Sequence, residues 1–105
     1  MIRMSEVIDR LLSIDDAEAL STCISESMLD LYELYNSGWK TLCTERDEIS
    51  ELIMFKHSII SKLDFENQEN RAFVLICLDF AERLNLQSAI PHLVRIINTH
   101  SEQIH

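Results

Sequence analysis

The chain has 105 residues, a length that suits one domain with a single hydrophobic core. Hydrophobic residues make up 47% of it, which excludes a disordered tail, and its single glycine and single proline exclude the frequent turns of a β-protein, so we predict one all-α domain over residues 1–105. The formal net charge of −9 disfavours direct binding to nucleic acid or to an anionic membrane and favours a basic protein as partner.

Two helices are predicted in the first part of the chain, and the first of them covers residues 5–14. Asp15 is placed to act as the N-cap of the second, which covers about 16–37, and Glu18 has the matching position of a capping box. Apolar residues recur in the second helix at spacings of three and four and predict one buried stripe: Ala17, Leu20, Ile24, Met28, Leu31 and Tyr35.

A third helix is predicted to begin at Thr44, which is suited to be its N-cap. Lys56 falls inside the apolar face of this helix, so we expect its aliphatic stem to pack and its amine to reach the rim or a carboxylate. The rest of the face is formed by Ile49, Leu52, Ile53, Ile59, Ile60 and Leu63.

The helix predicted at 71–84 organises the fold. Only Asp79, Glu82 and Arg83 interrupt its apolar circumference, and these three share one narrow strip. A helix that is apolar on nearly every side is stable in water only when other helices cover it. We therefore predict about five antiparallel helices packed around this central helix.

A last helix is predicted after a tight turn, with Ser88 as its N-cap and Pro91 tolerated in its first turn. The sequence from 89 to 97 is AIPHLVRII, which is similar to the Ala-Ile-Pro-x-Leu-x-x-Leu-Leu opening of a HEAT-repeat helix. Together with the apolar helix before it, the segment 71–98 resembles a HEAT-type helix pair. The resemblance implies a HEAT-like hairpin with one exposed face that binds another protein. The inner face of the last helix is predicted to consist of Ile90, Leu93, Val94 and Ile97.

No signature of catalytic, metal or cofactor chemistry is present in the sequence. The four histidines are not spaced as metal ligands, the three cysteines include no Cys-x-x-Cys pair, and there is no glycine-rich phosphate loop. We therefore expect no enzyme activity, no cofactor and no metal. Charge follows the first methionine at once and no apolar run approaches membrane-spanning length, so we expect a cytoplasmic, reduced protein without a signal peptide.

The candidate binding residues lie on the second predicted helix and just after it. Its acidic residues follow one another at i, i+4 and i+7, and no lysine or arginine within the helix relieves their repulsion. A solvated helix face explains the acids without any function, but apolar and aromatic neighbours are typical of a protein-binding hot spot. The candidate partner-binding residues are Glu26, Asp30, Glu33, Leu29, Tyr32 and Trp39, with Leu34 as a further apolar flank.

The small size, acidity and helical character of the chain resemble those of bacterial immunity proteins and antitoxins. The resemblance implies an inhibitor that covers the active site of a basic, nuclease-type toxin, as a monomer in the complex or as a weak homodimer. One alternative is a structural or adaptor module that self-associates through apolar surface on the central or last helix. Another is an acidic regulator that mimics nucleic acid and occupies a nucleic-acid-binding protein.

Overall fold

The computed structural model describes residues 4–37 and 45–100. Within these ranges the chain forms helices and no strand, which confirms the all-α prediction. The seven helices of the described ranges are α1 (Met4–Leu12), α2 (Ala17–Glu26), α3 (Met28–Asn36), α4 (Arg46–Phe55), α5 (His57–Ile60), α6 (Gln68–Arg83) and α7 (Ile90–Thr99).

Helix α6 lies at the centre of the packing. It contacts α2, α3, α4 and α7, and the buried side chains form one cluster to which every helix contributes. Leu75 is an apolar residue of α6 that the other helices do not fully cover, because half of it remains exposed. The side chains that α6 buries are Asn70, Phe73, Val74, Ile76, Cys77, Phe80 and Ala81.

Both ends of α6 are fixed by local hydrogen bonds. At its start, the side chain of Asn67 accepts the backbone N–H of Glu69 at 2.8 Å. At its end, Asn85 has a left-handed backbone with φ 58°, a conformation that asparagine tolerates better than most residues. The N–H of Leu86 donates to the carbonyl of Ala81 and the N–H of Asn85 to that of Glu82, which is the hydrogen-bond pattern of a Schellman motif.

Two of the predicted helices are each divided in two. The helix predicted at 16–37 breaks at Ser27, and the third predicted helix breaks at Lys56. Ser27 is buried, its Oγ lies 3.9 Å from Cys23 Sγ, and its N–H is shared between the carbonyls of Cys23 and Ile24. The Ser27 side chain makes no capping hydrogen bond to α3, and neither glycine nor proline stands at the break.

Lys56 connects two distant parts of the chain. Its Nζ donates to the carbonyl of Ile14 at 2.9 Å and to the Asp15 carboxylate at 2.8 Å, while its stem is buried as predicted. The Lys56 ammonium, first by the hydrogen bond and then by its charge, lowers the pKa of the Asp15 carboxyl. The prediction that Asp15 caps α2 is wrong, because Asp16 accepts the N–H of Ala19 at 2.9 Å instead.

Helix α7 packs along α6 and starts with Pro91 in its first turn, as predicted. Ser88 is not its cap: the N-cap position is held by Ala89, and Ser88 Oγ donates to Met54 Sδ at 3.6 Å. The predicted inner face is wrong at one position, because Val94 is 38% exposed whereas Ile96 is buried. Among the helices of the described ranges, none has both the length and the apolar character needed to cross a membrane.

Candidate protein-binding surface

Helix α3 presents the candidate residues because it is packed on one side only. Met28, Leu31 and Leu34 are buried at spacings of three, which places the intervening residues on the outer side of the helix. Leu34 was predicted to flank the binding surface, and this prediction is wrong because the side chain belongs to the core.

The outer side of α3 carries apolar and acidic side chains together. Leu29 is 85% exposed and Tyr32 is 43% exposed. Glu33 is exposed beside them, Asp30 is half-buried, and Glu26 is exposed at the last residue of α2. We call these five residues the α3 surface. Trp39, the sixth predicted residue, lies outside the described residues.

The α3 surface rests on an aromatic contact with the central helix. The ring of Tyr35 meets that of Phe80 edge-on, with centroids 5.7 Å apart. A hydrogen bond with the Asp79 carboxylate, and the charge of that carboxylate, raise the pKa of Tyr35 above its usual value of 10.0. Arg83 Nε lies 3.1 Å from Asp79 Oδ2, so the carboxylate also has a cationic partner. The contact between the Tyr35 and Phe80 rings joins the C-terminal turn of α3 to α6, whereas the Arg83–Asp79 ion pair lies within α6.

An open cleft of about 710 Å³ continues the α3 surface past Glu26. Two hydrogen bonds join its walls: the N–H of Asp64 donates to Ser21 Oγ at 3.1 Å, and Asn67 Nδ2 donates to Ser25 Oγ at 2.8 Å. The cleft is polar, and acids outnumber the single lysine along it. Its lining consists of Ala17, Glu18, Ser21, Thr22, Ser25, Glu26, Lys62, Asp64 and Asn67.

Other exposed apolar side chains lie away from α3. Phe55, the last residue of α4, is 75% exposed and was not singled out from the sequence. Leu75 of α6 and Val94 of α7 belong to two helices that pack together. Phe55 is not a member of the apolar face that the sequence predicts for this part of the chain, and its exposure agrees with that.

The described ranges hold no cluster of three or more histidine, cysteine or acidic residues that would suit a metal ion. They do contain two ring contacts that involve histidine: His57 stacks on His92, and His100 stacks on Phe65. Cys23 and Cys77 are buried as free thiols, and burial raises the pKa of Cys77. Sequence spacing did not indicate the His57–His92 contact because the two residues belong to different helices.

Comparison of the chain with protein-family models, with curated proteins and with solved structures found no match. No relative therefore supplies a residue role or an activity.

Proposed function

We propose that the chain is a small protein-binding inhibitor, in the manner of an immunity protein or antitoxin, which neutralises a basic, nuclease-type toxin by covering its active site. The α3 surface is the proposed contact, and Trp39 is proposed to extend it. A nuclease must attract phosphate, so its active site is surrounded by cationic groups that an acidic helix complements. The proposed mechanism is steric occlusion and involves no chemistry.

The observation that carries the proposal is the exposure of Leu29 and Tyr32 among acids. A leucine that is 85% exposed adds almost no burial to the fold of its own chain. Its burial against a partner is worth about 1.5–3 kcal/mol. Tyr32 adds an amphipathic ring of the kind that is enriched at protein interfaces. Apolar anchors for affinity and acids for steering thus occur on the same side of α3.

The acids are proposed to act before contact is made. Fifteen of the 18 acidic residues of the chain lie in residues 1–70, and the remaining three are balanced by three arginines in residues 71–105. A cationic partner is therefore attracted to the first two-thirds of the sequence, which contain α2 and α3. Attraction of this kind raises the association rate constant and is screened over about 10 Å at 0.1 M salt.

The test of the proposal is co-expression with the products of the adjacent reading frames. One of these products is expected to be basic and toxic when expressed alone, and to lose its toxicity when this chain is expressed with it. The two purified proteins should form a stable complex. Adjacent products that are neither toxic nor bound by the chain would contradict the proposal.

Neutralising the acids of the α3 surface should slow association. We expect Glu26→Gln, Asp30→Asn and Glu33→Gln together to lower the association rate constant for the toxin at least about 10-fold at 50 mM salt, with little difference at 500 mM. Glu51→Gln, Glu66→Gln and Glu82→Gln remove the same charge from exposed positions on other segments and serve as the matched control. Stopped-flow fluorescence measures the association rate constant of each triple variant. Equal slowing by the two triple variants would locate the contact elsewhere.

Truncating the exposed leucine should weaken the complex without affecting the fold. We expect Leu29→Ala to cost about 2 kcal/mol of binding free energy, or about a 30-fold rise in Kd, mainly through faster dissociation. Phe55→Ala removes a similarly exposed apolar side chain from another helix and should leave Kd unchanged. Surface plasmon resonance measures both. A loss for Phe55→Ala that matches the loss for Leu29→Ala would show that the α3 surface is not the contact.

A second candidate function is self-association through the α6–α7 pair, which we propose to be a HEAT-like hairpin with an exposed binding face. It is favoured by the half-exposed Leu75 beside α7, where Val94 is also exposed. A dimer seen by size-exclusion chromatography with light scattering, and lost in Leu75→Glu, would support this function. A monomer at all concentrations would contradict it.

A further inference from the structure

The open cleft has one wall that is formed by a single side of α2. The residues of α2 that line the cleft recur at spacings of three and four, so they share one side of the helix. Hydroxyl groups occupy the middle of this side, and a glutamate occupies each end. The residues are Ala17, Glu18, Ser21, Thr22, Ser25 and Glu26. The step of eight helical residues from Glu18 to Glu26 corresponds to about 12 Å along the cleft.

The opposite wall is the connection between α5 and α6, and side chains fix its backbone. The N–H of Asp64 donates to Ser21 Oγ at 3.1 Å, and the Asp64 carbonyl accepts Asn70 Nδ2 at 3.0 Å. Further along the cleft, Asn67 Nδ2 donates to Ser25 Oγ at 2.8 Å. The separation of the walls is therefore set in the free chain. A preorganised site of this kind loses less conformational entropy when a ligand binds.

Asn70 indicates that this wall is built at the expense of stability. The side chain of Asn70 is fully buried beside the Asp64 carbonyl, and its Oδ1 has no hydrogen-bond partner among the residues that the structure describes. A buried acceptor without a donor lowers the free energy of unfolding. Departures from full hydrogen bonding are typical of functional positions, where local structure serves more than the fold.

Negative charge is in excess along the cleft. Among the described residues that line it, three are acids and Lys62 is the only base. These four side chains are exposed, and none of them forms an ion pair within the described ranges. Glu26 is the last residue of α2, where the helix dipole adds to the attraction of a cation. Toward the other end, Asp64 binds the α2 turn that follows Glu18. Both ends of the cleft therefore attract cations.

We propose that the cleft binds an extended basic segment of the partner protein and holds one arginine side chain at each end. This inference rests on the proposed function, since Glu26 belongs both to the cleft and to the α3 surface. In an extended chain, residues four positions apart point to the same side at a separation of about 13 Å, which matches the spacing of the two glutamates. The guanidinium group presents several N–H donors, which suit carboxylates and the hydroxyl oxygens between them.

The test is titration of the isotope-labelled full chain with two peptides of identical composition, followed by nuclear magnetic resonance at low salt. Each peptide has blocked ends, two arginines and three serines. The arginines are the first and last residues of one peptide and are adjacent in the other. We expect the peptide with separated arginines to bind at least about 3-fold more tightly, because only this peptide reaches both ends of the cleft. The largest shifts should occur at the amides of Ser21, Ser25 and Asn67.

Charge variants test the two ends directly. Glu18→Gln together with Glu26→Gln should abolish the preference, so that both peptides bind with the same, weaker affinity. Glu51→Gln together with Glu82→Gln removes the same charge from exposed positions outside the cleft and should retain the preference. Lys62→Gln should tighten the binding of both peptides, because the variant lacks the ammonium that repels their arginines.

Equal affinity of the wild type for the two peptides would overturn the inference, and so would a preference that survives in the variant with both Glu18→Gln and Glu26→Gln. Neither measurement requires a toxin, so the inference can fail while the inhibitor proposal stands. If the peptides are distinguished as expected but co-expression finds no toxin, the inhibitor proposal fails and the cleft is still a site for basic segments.

Discussion

Replacing Phe73 by alanine is expected to destabilise the protein by about 3–5 kcal/mol, the cost of removing a fully buried aromatic ring. Phe73 is 2% exposed near the middle of α6. It lines a small apolar cavity with residues of α1, α3 and α4, including Ile8, Leu31 and Ile53. The surrounding helices are closely packed and cannot collapse fully into the space left by the ring. The remaining cavity therefore adds to the free energy lost when the apolar ring is no longer buried.

Leu75→Ala is the matched control for this prediction, because the residue lies two positions further along the same helix. Half of Leu75 is exposed, so its truncation should cost less than about 1 kcal/mol. Urea unfolding, followed by circular dichroism, gives both free energies. A similar loss of unfolding free energy for the two variants would contradict the packing described for α6, in which Phe73 is buried and Leu75 is half exposed.

Lys56→Ala is expected to destabilise the protein by about 2–4 kcal/mol. The substitution removes the hydrogen bond to the Ile14 carbonyl, leaves that carbonyl without its donor, and creates a space where the buried stem packed. Lys56→Met retains most of the stem and isolates the contribution of the ammonium. It should therefore lie between wild type and Lys56→Ala in a urea titration.

Asp15→Asn tests how much the Asp15 carboxylate contributes to stability, separately from the Ile14 carbonyl that also binds Lys56. Its effect should be much smaller, because the Asp15 side chain is solvent-exposed. The pKa of Asp15 is lower in the folded chain than its usual 3.8, so the ion pair stabilises the fold above that pH and the contribution is lost as the pH falls through the folded-state value. The stability difference between wild type and Asp15→Asn should narrow on this acidification, whereas most of the Lys56→Ala deficit should persist. If the stability deficit of Lys56→Ala disappeared at low pH, the hydrogen bond from Lys56 to the Ile14 carbonyl would contribute nothing to stability.

The central helix was predictable because its signal is local. Successive apolar residues from Phe73 to Leu78, with only three charged side chains after them, require burial on more than one side whatever the neighbours are. The apolar stripe of the second predicted helix was equally clear, and its members from Leu20 to Leu31 are buried. In these two segments, periodicity in the sequence thus identified most of the side chains that enter the core.

The helix breaks were not predictable from the same signal. Ser27 and Lys56 interrupt helices whose apolar periodicity continues across the break, and no glycine or proline marks either position. In the folded chain Ser27 Oγ lies 3.9 Å from Cys23 Sγ, and Lys56 Nζ binds Ile14 and Asp15. Apolar spacing along the sequence carries no information about these contacts. The prediction that Asp15 is a cap was wrong because its carboxylate binds Lys56, and nothing in the sequence shows that these two residues, 41 positions apart, are in contact.

The exposed side of α3 was only partly predictable. Leu29 and Tyr32 lie opposite the buried stripe, so their exposure followed from helical spacing. The burial of Leu34 was missed: it lies three residues after Leu31, at the edge of the predicted stripe, and both side chains are buried. The proximity of His57 and His92 depends on how α5 meets α7, and sequence spacing within one helix carries no information about it.

A single ammonium links the connection between α1 and α2 to the start of α5, across 41 residues of sequence. Local opening at either place must break the same bonds, so the two places belong to one cooperative unit of the native state. Amide hydrogens on both sides of the contact then exchange with solvent through the same local opening, although the segments that carry them are far apart along the chain.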